Sequence, residues 1–176
     1  MSAFIINQIK IVSDYGDSRI LPIVVTLALF LFLVEEKYIR EGFILLFSVA
    51  SGIYATVLKL IFKEPRPPMF HYNPYLLGDM YSFPSSHVVF YTAFWGFVFY
   101  LTFKLKKVNY WVITLMRLVC IYFVSLVGIS RVLVGAHYVQ DVIAGYFFGG
   151  LYLTLLICAD RFLPKVWKKY KKHHES

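Results

Sequence analysis

GFILLFSVASGIYATVLKLIF, residues Gly42–Phe62, is an apolar run with one charge, Lys59, close to its end. A helix rises 1.5 Å per residue, so about twenty apolar residues are needed to cross a hydrocarbon core about 30 Å thick. This run is long enough. Four more apolar runs are Ile20–Val34, Ser86–Phe103, Trp111–Ser130 and His137–Ala159. The first is short and extends toward Glu35 and Glu36. Apolar residues make up 59% of the 176, charged residues only 16%, and the mean hydropathy is +0.65, too apolar for a water-soluble domain of this size. The expected fold class is all-α: an integral membrane helical bundle of about five transmembrane helices, forming one domain over residues 1–176.

The flanks carry the remaining organisation. Phe4, Ile5, Ile9 and Val12 recur near helical spacing in a segment too short and mixed to cross a bilayer. Residues 1–18 are therefore expected to form an amphipathic helix in the membrane interface, with a small globular cap as the plainer alternative. The opening MSAFIINQIK has neither the basic start nor the apolar core of a cleaved signal. Residues 161–176 form a basic tail with Arg161, Lys165, Lys168, Lys169, Lys171 and Lys172 beside Trp167 and Tyr170. Directly after a span, such a cluster reads as a contact with anionic lipid headgroups, or more plainly as a solvated tail. It accounts for much of the net charge of +8, so no nucleic-acid partner is inferred. Of the eighteen Lys and Arg, eleven fall on the side of the C-terminus, six on the other, and Arg117 lies within a span, where it can snorkel. The positive-inside rule then makes the C-terminus cytoplasmic. Cys120 and Cys158 lie in apolar runs and suggest no disulfide framework.

This topology brings four distant segments together at the opposite membrane edge: KLIFKEPRP (Lys59–Pro67), PSSH (Pro84–His87), SR (Ser130–Arg131) and HYVQD (His137–Asp141). Lys59, Arg66 and Arg131 would repel one another there. A bound anion relieves that cost, and phosphate suits the Arg fork; snorkelling to headgroups is the plainer account and explains the clustering less well. Pro84, Ser85 and Ser86 are good helix-start residues, and a helix N-terminus offers free amides to phosphate. His137 and Asp141, four apart, share one helix face. The carboxylate would hold one ring nitrogen and leave the other as a base or nucleophile, although a structural His–Asp pair has the same spacing. With His87, the set supplies a nucleophile and a proton donor for phosphoryl transfer. A metal site drawn from His71, His87, His137, Asp79 and Asp141 matches no compact ligand motif, and nearby cations oppose one. No metal or other cofactor is expected.

These residues resemble the three-part signature of the type 2 phosphatidic acid phosphatase superfamily, which also contains the soluble vanadium haloperoxidases. Its K-x6-RP stands here as Lys59…Arg66-Pro67, its P-S-G-H as Pro84-Ser85-Ser86-His87, and its S-R-x5-H-x3-D as Ser130-Arg131…His137…Asp141. The resemblance spans Lys59 to Asp141. It implies that His137 attacks phosphorus, that Asp141 orients it, and that His87 protonates the leaving group and later activates water. Lys59, Arg66, Ser85, Arg131 and a backbone amide near Ser86 would hold the phosphoryl oxygens, without metal. Ser86 departs from the family's glycine and places a side chain where backbone approaches phosphate.

The spans favour a membrane enzyme acting on a phosphorylated lipid at the extracytoplasmic interface of a bacterial inner membrane. The resemblance to small bacterial members suggests lipid A 1-phosphate. Undecaprenyl diphosphate, phosphatidylglycerol phosphate and phosphatidate are alternatives, and a lipid-to-lipid phosphotransferase is a second class. A non-catalytic lipid-binding protein would not need both histidines and Asp141. The loop Pro67–Phe83 is expected to roof the site and select the headgroup.

Overall fold

In lipid every backbone N–H and C=O must find a partner within the chain, so the apolar runs become helices. The computed structural model describes residues 3–18, 20–68 and 79–174. Among these it contains α1 (Ala3–Asp17), α2 (Leu21–Glu35), α3 (Ile39–Val49), α4 (Ser51–Phe62), α5 (Ser86–Leu101), α6 (Tyr110–Leu133) and α7 (Val139–His174). Among the described residues three stretches are long and apolar enough to cross a membrane individually: Ile39–Phe62, made of α3 and α4, Tyr110–Leu133, and Val139–Leu163. α2 and α5 are shorter, at 15 and 16 residues.

The boundaries differ from the sequence expectation where charges are neutralised. The Ile39–Phe62 stretch includes Arg40 and Glu41, because both belong to a paired cluster with Lys104 and Asp160. His137 lies before α7 rather than inside it. At the other end α7 continues to His174, so residues 161–174, expected as a tail, extend the last helix.

α5 is apolar around its whole circumference and is the core element, with Val88, Tyr91, Phe94 and Phe97 fully buried. The lipid-facing surface comes from other helices, through side chains such as Phe47, Ile53, Leu118 and Phe147. Lipid offers no hydrophobic drive between helices, so close packing must hold them together. α7 meets α5 through Gly145 and Gly149. A Cβ at Gly145 would lie 2.8 Å from the Val88 Cβ, and one at Gly149 would lie 2.7 Å from the Thr92 Cβ. Small residues here let the N-terminal turns of α5 and α7 approach each other.

α1 is helical as expected, and it meets α2 at 81°. Its Ile9 and Val12, read in the sequence as an interfacial stripe, are buried together with Tyr15, whereas Phe4 is exposed. Tyr15 packs against Tyr91, Trp95 and Phe123, and the Tyr91 hydroxyl donates to the Val12 carbonyl at 2.5 Å. Part of the stripe thus faces α5 and α6.

Candidate active site

The ends of α4 and α6 and the starts of α5 and α7 meet at one end of the bundle. Lys59 lies in the last turn of α4, 2% exposed. α4 then stops because Lys63 adopts a left-handed conformation, φ 54°, with its amide bonded back to the Lys59 carbonyl. The chain leaving this turn pairs antiparallel with the chain entering α5: Pro65 bridges Tyr81, and the Ser82 amide donates to the Glu64 carbonyl at 2.8 Å. This pairing carries Arg66 and Ser82 to the site. It also supplies the Lys59 ammonium with two acceptors, the carbonyls of Tyr81 and, at 3.1 Å, Ser82.

Arg66 donates from Nη1 to the Ala136 carbonyl at 3.2 Å and pairs through Nη2 with Asp79 at 2.9 Å. Arg131 is 3% exposed. Its Nη1 reaches Ser13 Oγ at 2.8 Å and Asp17 Oδ2 at 3.1 Å, while its Nε is buried without a hydrogen-bond partner. The sequence suggested three unpaired cations. In the structure Arg66 and Arg131 each meet a carboxylate, because desolvation at a membrane edge costs several kcal/mol per bare ion. Among the described residues Lys59, which donates to two carbonyls, is the site cation without a carboxylate within ion-pair distance.

Ser85 is the N-cap residue of α5, yet its side chain caps nothing: Oγ is buried and unpartnered, and its amide donates to the Asp141 carbonyl at 3.1 Å. The amides of Ser86 and His87 occupy the first turn, where no intrahelical acceptor exists. Ser86 and His87 line a cavity of about 200 Å³ together with Gly16, Pro22, Val49, Gly52 and Phe90. Ser130 is less involved, since its hydroxyl donates to the Val127 carbonyl at 2.7 Å.

α6 ends at Leu133, and Gly135, at φ +75°, turns the chain back toward the site. His137 follows, nearly fully buried. Its Nδ1 is 3.5 Å from Asp141 Oδ2 and 3.4 Å from Ser82 Oγ, and Ser82 Oγ donates to the same Asp141 oxygen. The expected pair on one helix face is therefore modified. Asp141 lies in the first turn of α7 and accepts the Tyr138 amide at 2.9 Å, so its carboxylate serves the helix start as well as the imidazole, with Ser82 spanning the gap. Asp141 Oδ1 is buried and free. Burial pushes the His137 pKa down to about 4, the hydrogen bond to Asp141 opposing it and the charges of Lys59, Arg66 and Arg131 adding to it. Its ring is neutral at pH 7, with a lone pair available.

His87 lies 3.0 Å through Nε2 from Asp17 Oδ1, within ion-pair distance but without the alignment of a hydrogen bond. All eight residues singled out in the sequence thus gather at one end of the bundle. The sequence reading missed Ser82, Asp17 and Ser13. Ser82 stands two residues before a motif with no periodic signal. Asp17 and Ser13 sit in a segment read as an interfacial helix. Of the metal candidates, Asp79 is an Arg66 partner, and His71 lies outside the described residues, as does most of the loop expected to roof the site.

The chain spans about half the length of the curated relatives it matches. It is 35% identical over 120 residues to a lipid A 1-phosphatase of Rhizobium etli, covering 63% of this chain and 47% of that one. It is 34% identical over 128 residues to a lipid A 1-phosphatase of Rhizobium johnstonii, covering 67% and 48%. Its fold is that of a transmembrane PAP2-type phosphatidylglycerolphosphate phosphatase from Bacillus subtilis, with a TM-score of 0.71 at 21% identity over 91% of this chain and 78% of that one. The PAP2 superfamily model matches residues 41–164, which include all three motifs. A helical bundle with lipid-facing apolar surfaces and these motifs gathered at one end is an integral membrane protein, and the chain belongs to the PAP2 superfamily.

Proposed function

We propose that this chain is a metal-independent lipid phosphate phosphatase that works through a phosphohistidine on His137. The observation that carries this reading is a buried, neutral His137 facing Asp141 and Ser82 through one nitrogen, within the electrostatic reach of Lys59, Arg66 and Arg131. The free nitrogen attacks phosphorus. As the N–P bond forms, the P–O bond to the lipid breaks and His87 gives its proton to the departing oxygen. Positive charge on the His137 ring is offset by Asp141. Water then attacks phosphorus, the N–P bond breaks, and His87 takes the water proton. Lys59, Arg66, the unpartnered Arg131 Nε and Ser85 Oγ, and the first amides of α5 stabilise charge on the phosphoryl oxygens.

The reading extends to substrate and membrane side. A site at one end of an apolar bundle suits a substrate whose chains stay in the bilayer, and the two curated relatives favour lipid A 1-phosphate. The fold neighbour makes phosphatidylglycerol phosphate the next candidate, followed by undecaprenyl diphosphate. The excess of Lys and Arg toward the C-terminus supports a cytoplasmic C-terminus and an extracytoplasmic site, with the basic end of α7 near anionic headgroups. The test is phosphate release by the detergent-solubilised protein, with chelator present, over lipid A and the other lipids, with His137→Ala as control. Chelator-resistant release that disappears in His137→Ala is expected, fastest with lipid A. Release that depends on added metal, or that survives His137→Ala, overturns the mechanism. Phosphate transfer only to a second lipid would assign the phosphotransferase class instead.

A further inference from the structure

We propose that α1 is part of the reaction machinery and that Asp17 is the positioning residue for His87. The inference rests on the phosphohistidine reading above. Asp17 Oδ1 lies 3.0 Å from His87 Nε2, and Oδ2 lies 3.1 Å from Arg131 Nη1. Ser13, one turn earlier on the same face, accepts from Arg131 Nη1 at 2.8 Å and donates to Asp17 Oδ2 at 3.1 Å. One carboxylate thus ties the proton donor on α5 to a phosphate ligand on α6.

The approach is built into the backbone. A Cβ at Gly16 would overlap the His87 ring at Cδ2 and come within 2.9 Å of Nε2, so only glycine lets α1 lie this close. The Tyr91 hydroxyl, one turn along α5 from His87, anchors α1 through the Val12 carbonyl. The charge arrangement points the same way. Asp141 is engaged with His137, Ser82 and Tyr138, and Asp79 with Arg66. Among the described residues Asp17 is the carboxylate at ion-pair distance from His87. Each histidine thus has its own acid: Asp141 for the nucleophile, Asp17 for the proton donor. The Asp17 side chain is half-exposed.

A residue that acts through the proton donor matters only when the leaving group needs a proton. The test is kcat/KM of the full-length, detergent-solubilised protein on a lipid phosphate and on substituted phenyl phosphates of graded leaving-group acidity. The variants are Asp17→Asn, Asp17→Glu, Ser13→Ala, His87→Ala and the double variant H87A/D17N. Asp17→Asn is expected to lose about tenfold to a hundredfold on the lipid phosphate and less than about threefold on 4-nitrophenyl phosphate, giving a steeper dependence on leaving-group acidity. Asp17→Glu should recover part of the loss. Ser13→Ala should show the same trend more weakly, and the double variant should be no slower than H87A on the lipid. An equal loss on every substrate would assign Asp17 a structural role and overturn the proposal. A gain in kcat/KM in Asp17→Asn would also overturn it, because Asp17 would then be competing with phosphate for Arg131. Turnover that persists in His137→Ala sinks the nucleophile assignment and leaves the Asp17 dependence readable. Turnover lost in His137→Ala with a flat Asp17→Asn dependence sinks the Asp17 proposal alone.

Discussion

The two ends of the bundle use the same residue types for opposite purposes. At the end away from the site, Lys104 meets Glu41 at 2.5 Å and Asp160 at 2.8 Å, and Arg40 meets the same carboxylates at 2.8 and 3.1 Å. The Tyr100 hydroxyl donates to Asp160 at 2.7 Å, and the Tyr38 hydroxyl donates to the Lys104 carbonyl at 2.9 Å. This network ties α3, α5 and α7 together, and none of its side-chain atoms is buried without a partner. At the site end, Arg131 Nε, Ser85 Oγ and Asp141 Oδ1 are buried without partners, and Lys59 rests on carbonyls. A buried polar atom left unpaired costs about 1–3 kcal/mol. One end is satisfied and acts as a clamp. The other is held incomplete by the surrounding packing and is completed by a ligand with several oxygens.

Substitutions should therefore have opposite signs at the two ends. Lys59→Met removes a buried cation that lacks a carboxylate, so the folded protein should become more stable by about 1 kcal/mol. Turnover should fall by about a hundredfold, because one phosphoryl clamp is lost. Thermal unfolding in detergent and kcat/KM measure the two effects, and a destabilised Lys59→Met would break the contrast. Asp160→Ala should do the reverse. It leaves Lys104 and Arg40 to share Glu41 alone and should cost about 2 kcal/mol, discounted for their partial exposure, with turnover per folded molecule unchanged. A selective loss of turnover at full stability would show that the far network reaches the site.

The pH profile sharpens the contrast at His137. Its ring is neutral above about 4 and loses its lone pair to a proton below that. With a leaving group that needs no proton donor, the acid limb of kcat/KM should fall near 4 rather than at the ordinary histidine value of 6.5. A limb at 6.5 would mean that the ring is solvated. The smallest effect is expected from Ser86→Gly. The amide at the helix start stays and only a small side chain is lost, so turnover should change by less than about tenfold. A loss above a hundredfold would give the hydroxyl a necessary part.

How much was legible depended on the range of the interaction. The spans could be read because lipid imposes length and composition on each helix alone, and the motifs could be read because their spacings are local. Arg40 and Glu41 set the start of the readable span too late, since their neutralisation depends on Lys104 and Asp160, far away in the chain. The pairing of His137 with Asp141 followed from spacing, but its actual form needed Ser82, which arrives by strand-like pairing with the chain after α4. Asp17 gave no signal beyond a polar cluster at the end of an amphipathic helix.

The sequence by itself determined a membrane helical bundle, the end at which its four polar segments meet, and eight of the residues gathered there. Hydrophobic length and motif spacing are properties of neighbouring residues, so they survive without a structure. Only the tertiary structure decided which cation holds which carboxylate, that α1 lies against His87, and that the polar cluster at the opposite end is closed. Those outcomes depend on how closely helices approach, and Gly16, Gly145 and Gly149 set that approach through atoms they lack.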